Sequence, residues 1–87
     1  MVESMHIVYV LRSHKDRNLY IGCTGDLQRR LQQHLKAQVR ATKSRLPIEL
    51  IYSEVYRDKY EAFRMERFYK SPKGKRELKA KINCGIV

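Results

Sequence analysis

The run HIVYVL at His6–Leu11 is the most continuously apolar stretch of the chain. After His6 its β-branched, aromatic and aliphatic residues follow one another without a polar break, which predicts a buried central strand. The polar segment Ser13–Asn18 then reads as a turn, and Leu19–Gly22 as a second strand. So short a link predicts an antiparallel hairpin, which places Tyr9 and Tyr20 in one small sheet. Met1–Ser4 reads as a loose start.

From Leu27 the period changes. At 100° per residue Leu27, Leu31 and Leu35 fall within about 80° of one another and define the buried stripe of a helix running to about Ala37. Thr24 or Asp26 can cap it. Arg30 and His34 border the stripe, whereas Arg29 points away, so Arg30 is the one of the paired arginines that can face the sheet. Ala37–Leu46 is polar and basic and reads as a surface loop closed by Pro47. Ile48–Tyr56 alternates as a third strand, with Ile48, Leu50 and Tyr52 on one face and Ile51 and Val55 on the other. Lys59–Lys70 predicts a second long helix, with Ala62, Met65, Phe68 and Tyr69 inward and Glu66 on the same edge. A carboxylate there is costly unless something pairs with it. Ser71-Pro72 suits the start of a last helix, although Gly74 blurs its first turn. Leu78, Ile82 and Ile86 can return apolar contacts to the core.

Eighty-seven residues, 43% of them hydrophobic, fit one domain spanning 1–87 with one core. The charge narrows the function: 19 Lys+Arg against 9 Asp+Glu leave a net charge of +10, which points to a polyanion and, above all, nucleic acid. No acid lies between Asp26 and Glu49, while Arg29, Arg30, Lys36, Arg40, Lys43 and Arg45 do. A second basic tract carries Lys70, Lys73 and Lys75. Cys23 and Cys84 have no metal-ligand spacing, and a reduced, cytoplasmic setting fits them. No stretch is long and apolar enough to predict a membrane span.

Hydrolysing a phosphodiester takes an activated water, a cation facing the charge that builds on the phosphoryl oxygens, and often a divalent metal. Arg30 can supply the cation, Glu66 a metal ligand, and a tyrosine or histidine the proton acceptor. Each also has an ordinary reading: Arg30 as a solvated helix residue, His34 as a packed histidine, Glu66 as the i,i+4 partner of Lys70, and Tyr9 and Tyr20 as strand residues. Composition and spacing alone stop at a basic α/β domain that binds nucleic acid.

The ordered motifs carry the reading further. They are IVY at 7–9, YIG at 20–22, TGDLxRRLxxH from Thr24 to His34, TK at 42–43, PxxLIYxE at 47–54, EA at 61–62 and MERFYKSPKGK from Met65 to Lys75. In this series the chain resembles a stand-alone GIY-YIG nuclease domain, similar to the N-terminal nuclease domain of the excision-repair protein UvrC. The resemblance implies an α+β fold, a small three-stranded antiparallel sheet flanked by helices, and a metal-dependent endonuclease acting on branched, nicked or damaged DNA in repair or recombination. It implies catalytic roles for Tyr9, Tyr20, Arg30, His34 and Glu66. One tyrosine would help deprotonate the attacking water while the other positions it or the phosphate, with Tyr9 slightly favoured as the base. Arg30 would stabilise the pentacovalent phosphate, His34 would orient the nucleophile or share the proton, and Glu66 would hold a single Mg²⁺ or Mn²⁺. Arg12, Arg29, Lys43, Arg45, Lys70, Lys73 and Lys75 are the expected DNA contacts.

Two positions depart from the pattern: Ile7 replaces the glycine of the first motif, and Cys23 stands where UvrC-type domains carry a lysine. Arg12, Lys43 or Lys70 could replace that cation. With no separate targeting domain visible, a protein partner or DNA shape would choose the site. The competing reading is a nucleic-acid-binding module that keeps the fold without cleaving. A DNA-compacting protein fits the acidic and aromatic content less well.

Overall fold

β1 (His6–Ser13) is the middle strand of a three-stranded antiparallel sheet in the order β2-β1-β3, between β2 (Leu19–Thr24) and β3 (Ile48–Tyr56). The computed structural model describes residues 5 to 85, so the start at Met1–Ser4 and the contact expected of Ile86 lie outside the described residues. Both edges of β1 are paired, and both of its faces are covered. Val8 and Val10 join Ile21, Ala62, Tyr69, Leu78 and Ile82 in one cluster. Tyr9 and Leu11 join Ile48 in a second, with Leu27 and Leu31 against it. Alternation along a single strand therefore sorts its side chains into two cores.

The helices are α1 (Leu27–Leu35), α2 (Arg40–Lys43), α3 (Lys59–Tyr69) and α4 (Pro72–Gly85). α3 packs on the sheet and α4 on α3, closing the first core; α1 covers the second. The α+β architecture agrees with the expectation from sequence, as does the hairpin of β1 and β2. Among the described residues, no helix is long and apolar enough to cross a membrane.

Helix ends follow from local chemistry. Asp26 caps α1, its carboxylate accepting from the Arg29 N–H at 3.1 Å, while the Thr24 hydroxyl accepts from the Asp26 N–H and tightens the preceding turn. The helix closes two residues before Ala37, which takes a left-handed φ of 60°. The Ala37 N–H then bonds to the His34 carbonyl and the Gln38 N–H to that of Gln33, the paired bonds that close a helix over a left-handed residue. Asp58 caps α3, and the Ser71 hydroxyl accepts from the Gly74 N–H at the start of α4. Gly74 does not weaken that start. The Phe68 carbonyl occupies the place a β-carbon at 74 would take, so only glycine lets α4 turn this closely against α3.

Three expectations are corrected. The basic segment after α1 is not all loop: α2 forms within it and buries Val39 and Thr42 at its start and centre. Leu35 is 49% exposed, and the buried residue of α1 is His34. The helix is rotated toward the histidine because partners on β1 and α2 satisfy its ring nitrogens, so Leu27 and Leu31 flank the core without Leu35. In β3 the alternation breaks. Val10 pairs with Tyr52 and Leu11 with Leu50, leaving Ile51 as an extra residue. That bulge reverses the parity of the strand. Ile48 stays with the second core, Ile51, Tyr52 and Tyr56 pack on the first, and Val55 is exposed.

Candidate active site

The hairpin register sets Tyr9 opposite Gly22 and Leu11 opposite Tyr20, so both tyrosines project from the face covered by α1. A β-carbon at position 22 would collide with the Tyr9 hydroxyl and ring. Gly22 is thus the floor on which the Tyr9 phenol rests. The two tyrosine rings are 6.3 Å apart between centroids, and each meets the His34 ring edge-on, Tyr9 at 5.7 Å and Tyr20 at 5.2 Å. Three rings from β1, β2 and α1 form one aromatic cluster.

A hydrogen-bonded chain runs through it. The Tyr9 hydroxyl lies 2.9 Å from His34 Nε2, and His34 Nδ1 lies 2.7 Å from the Thr42 hydroxyl. Tyr9 is 1% exposed, while His34 and Thr42 have no exposure at all. A neutral imidazole carries one donor and one acceptor, and both hydroxyls can fill either role, so the chain is complete in either tautomer. Thr42 carries no sequence signal of its own as a site residue: its segment is polar and basic like a loop, and its hydroxyl meets His34 only through the fold of α2.

Arg30 sits one turn before His34 and is partly exposed, its guanidinium donating to Gln33 Oε1 at 3.0 Å. Burial pushes the Tyr9 pKa up, and the Arg30 guanidinium acts against that rise. Arg30 in turn is held more firmly in its charged form, first by interaction with the Tyr9 hydroxyl and then by Tyr20. Burial, and after it the charge of Arg30, lower the pKa of His34, so the imidazole is neutral at pH 7. Among the cations proposed as substitutes for the missing lysine, Arg12 shares with Cys23 the face of Val8 and Val10, but it lies toward the turn end of the hairpin, in a hollow lined by none of the candidate catalytic residues. Cys23, at the lysine's place, is half-buried, and its thiol pKa is raised first by burial and then by the Glu66 carboxylate.

Glu66 comes from α3 and completes the neighbourhood: its charge also raises the Tyr9 pKa. Its side chain is 26% exposed, and the ion pair with Lys70 expected from spacing is present at 3.7 Å. No group of three His, Cys, Asp or Glu side chains suited to a metal ion occurs among the described residues. Tyr9, Tyr20 and His34 therefore meet as rings with Arg30 beside the two tyrosines, and Glu66 lies near enough for its charge to act on Tyr9 and Cys23.

The expected DNA contacts divide. Arg29 joins Arg30 and Gln33 along an open cleft of about 440 Å³ beside Cys23–Asp26. Lys43, Lys70 and Lys73 are exposed on α2, at the end of α3 and on α4. Arg12, Arg45 and Lys75 line clefts that contain none of the five candidate catalytic residues.

Sequence reasoning passed over one further cluster, on the other face of the sheet. Glu54 accepts hydrogen bonds from the hydroxyls of Tyr52, Tyr56 (2.5 Å) and Tyr69 (2.7 Å) and from Lys81 Nζ (3.1 Å). Burial would raise the Glu54 pKa, but these four donors outweigh it and pull the value down to about 2. The cluster fastens α3 and α4 to β3. Its sequence signal was the alternation of Tyr52, Glu54 and Tyr56 on one strand.

The model of the GIY-YIG catalytic domain matches residues 5–83. A UPF0213 protein of Streptococcus agalactiae is 39% identical over 71 residues, which is 80% of each chain. The UPF0213 protein YazA of Bacillus subtilis is 36% identical over 80 residues, covering 90% of this chain and 80% of its own. Among solved structures, the solution NMR structure of a UPF0213 protein from Bacillus halodurans superposes with a TM-score of 0.56 at 33% identity, over 87% of this chain and 83% of that one.

Proposed function

The chain belongs to the GIY-YIG family of nuclease domains, and from that premise we propose that it is a metal-dependent endonuclease hydrolysing phosphodiester bonds in DNA, with a role in repair or recombination. The observation that carries this reading is the meeting of two tyrosines, a neutral buried histidine, an arginine and a single carboxylate on one basic surface. A module that only binds needs the basic side chains but has no use for a metal-binding Glu66.

The roles follow from access and charge. Tyr9 is almost wholly covered, and burial favours its protonated form, so the slight preference for it as the base is reversed. Tyr20 is only half-buried; it faces the attacking water and takes its proton, with the positive charge of Arg30 beside it. Tyr9, fixed by His34 and Thr42 and seated on Gly22, positions Tyr20 and the water. Arg30 also faces the charge that builds on the phosphoryl oxygens. Removing one such donor costs an enzyme roughly 10²- to 10³-fold in rate.

Glu66 suits one divalent ion. A lone carboxylate with a loose 3.7 Å ion pair fits Mg²⁺ or Mn²⁺, which bind through one or two carboxylates together with substrate phosphates and water. When bound, such an ion would supply Lewis-acid stabilisation of the phosphoryl and leaving oxygens. The half-buried thiol of Cys23 adds no charge to that site at neutral pH.

The test is cleavage of duplex, flap, junction and single-stranded DNA with Mg²⁺ or Mn²⁺, beside Arg30→Ala and Glu66→Ala. Metal-dependent cutting lost in both variants is expected. Cutting that survives Glu66→Ala overturns the metal role. Salt-sensitive binding with no cutting of any substrate replaces the proposal with the binding module.

A further inference from the structure

Arg17, Arg45, Lys75 and Lys79 come from three distant parts of the chain, yet they line one cleft of about 310 Å³ together with Asn18 and Leu19. That is within the range of pockets that hold small ligands, roughly 300–1,000 Å³. A second hollow of about 200 Å³ shares Arg17, Leu19 and Lys79 and adds Arg12. The cleft is lined by no acidic side chain. Arg45 has a partner in Asp16 at 3.9 Å, while Arg12, Arg17, Lys75 and Lys79 have no acidic partner among the described residues. Cations gathered in a concavity repel one another unless they share an anion.

The backbone adds a separate observation. Arg17 has a φ of 62°, in the left-handed region where glycine is at ease and an arginine is strained. The strain is held in place by the turn, where the Arg17 N–H bonds to the Ser13 carbonyl and Ser13 bonds across to Asn18.

The cleft is not part of the candidate active site. None of Tyr9, Tyr20, Arg30, His34 and Glu66 lines it, and Arg30 lines a different cleft, beside Cys23–Asp26. A phosphate at Arg30 cannot be the phosphate in this cleft.

We propose that Arg17, Arg45, Lys75 and Lys79 form a second anion site that grips the sugar–phosphate backbone of the nucleic acid away from the bond at the active surface. It extends the proposed reading of the chain but does not depend on cleavage. A substrate held at both places passes around the turn end of the hairpin or presents two segments at once.

The experiment is binding of a short DNA duplex to the full chain in EDTA, followed by anisotropy against salt concentration and by amide shifts in NMR, for the native protein, Arg17→Gly with Lys79→Ala, and Lys79→Glu. In the double variant the melting temperature is expected to stay or rise, because glycine relieves the strain at 17. Binding is expected to weaken roughly tenfold, with the slope of log K against log salt reduced by about 2, the loss of two phosphate contacts. Amide shifts on adding duplex should include residues 17–19, 45 and 75–79. Unchanged affinity and slope in both variants overturn the site. So does a titration in which inorganic pyrophosphate shifts those amides and duplex does not, which would make it a site for free polyphosphate. Absence of cleavage under Mg²⁺, with these binding changes intact, refutes the nuclease reading and leaves the second site standing.

Discussion

Tyr9 rests across Gly22, its partner in the β1–β2 ladder, with no room between them for a β-carbon. The glycine of the YIG motif is thereby explained by the side chain of the other strand. Gly22→Ala should push the Tyr9 ring off its seat and break its bond to His34. The expected result is a loss of roughly 1–3 kcal/mol in stability from overpacking, read by urea titration. Cleavage should fall by about 10²-fold, the loss that small misplacements of catalytic groups cause. Activity at the native level would mean that the seat of Tyr9 is irrelevant to catalysis.

Thr42 is predicted to be the anchor of His34. Thr42→Val keeps the shape but leaves Nδ1 of a fully buried imidazole without a partner, at a cost of about 1–3 kcal/mol. Thr42→Ser, which restores the hydroxyl, should recover most of both stability and cleavage. A valine variant as stable as the native protein would show that the bond contributes nothing.

The chain should lose stability to acid in two stages. His34 is held neutral in the folded state by burial and Arg30, whereas the unfolded chain binds that proton near pH 6.5. Stability therefore falls as pH drops below about 6.5, because the unfolded state takes up more protons. Glu54 has a folded pKa of about 2 against 4.5, so its contribution is present above 4.5 and is lost between there and about 2. At 1.36 kcal/mol per unit the second stage amounts to at most about 3 kcal/mol. Urea midpoints measured across pH should show both stages, Glu54→Gln abolishing the lower one alone. A lower stage that persists in Glu54→Gln assigns it to other carboxylates.

Ala37 occupies the left-handed position that ends α1. Glycine pays no steric penalty there, so Ala37→Gly should stabilise the protein by about 0.5–1 kcal/mol and raise the thermal midpoint by several degrees. A lower midpoint would show that the methyl group packs usefully.

The strands, the hairpin, α3 and the start of α4 were legible because period-two and 3.6-residue patterns, Asp and Ser caps and a proline at the first helical position act locally. What escaped depended on partners elsewhere in the chain. His34 counts as polar in any hydrophobic stripe, and nothing within α1 reveals that Tyr9 and Thr42 will satisfy both of its nitrogens. Leu35 was misplaced for the same reason. The bulge at Ile51 has no local signature, since each half of β3 alternates correctly on its own and only pairing with β1 exposes the extra residue. Helical geometry did separate Arg30 from Arg29. The grouping of Tyr9, Tyr20, Arg30, His34 and Glu66 came from the ordered motifs rather than from spacing, while the joining of Arg45 to Lys75 in one cleft was visible in neither.

The two cores fed by β1 imply a particular pattern of tolerance to mutation. Consecutive codons from Val8 to Leu11 answer alternately to the helical layer of α3 and α4 and to the aromatic cluster under α1. A saturation scan along the strand should give a sawtooth with a period of two. Val8 and Val10 would be read out through the packing of α3 and α4, Tyr9 and Leu11 through the packing of α1 and the seat of His34. A lineage could then reshape the candidate site by changing one set of codons while the other set preserves the scaffold.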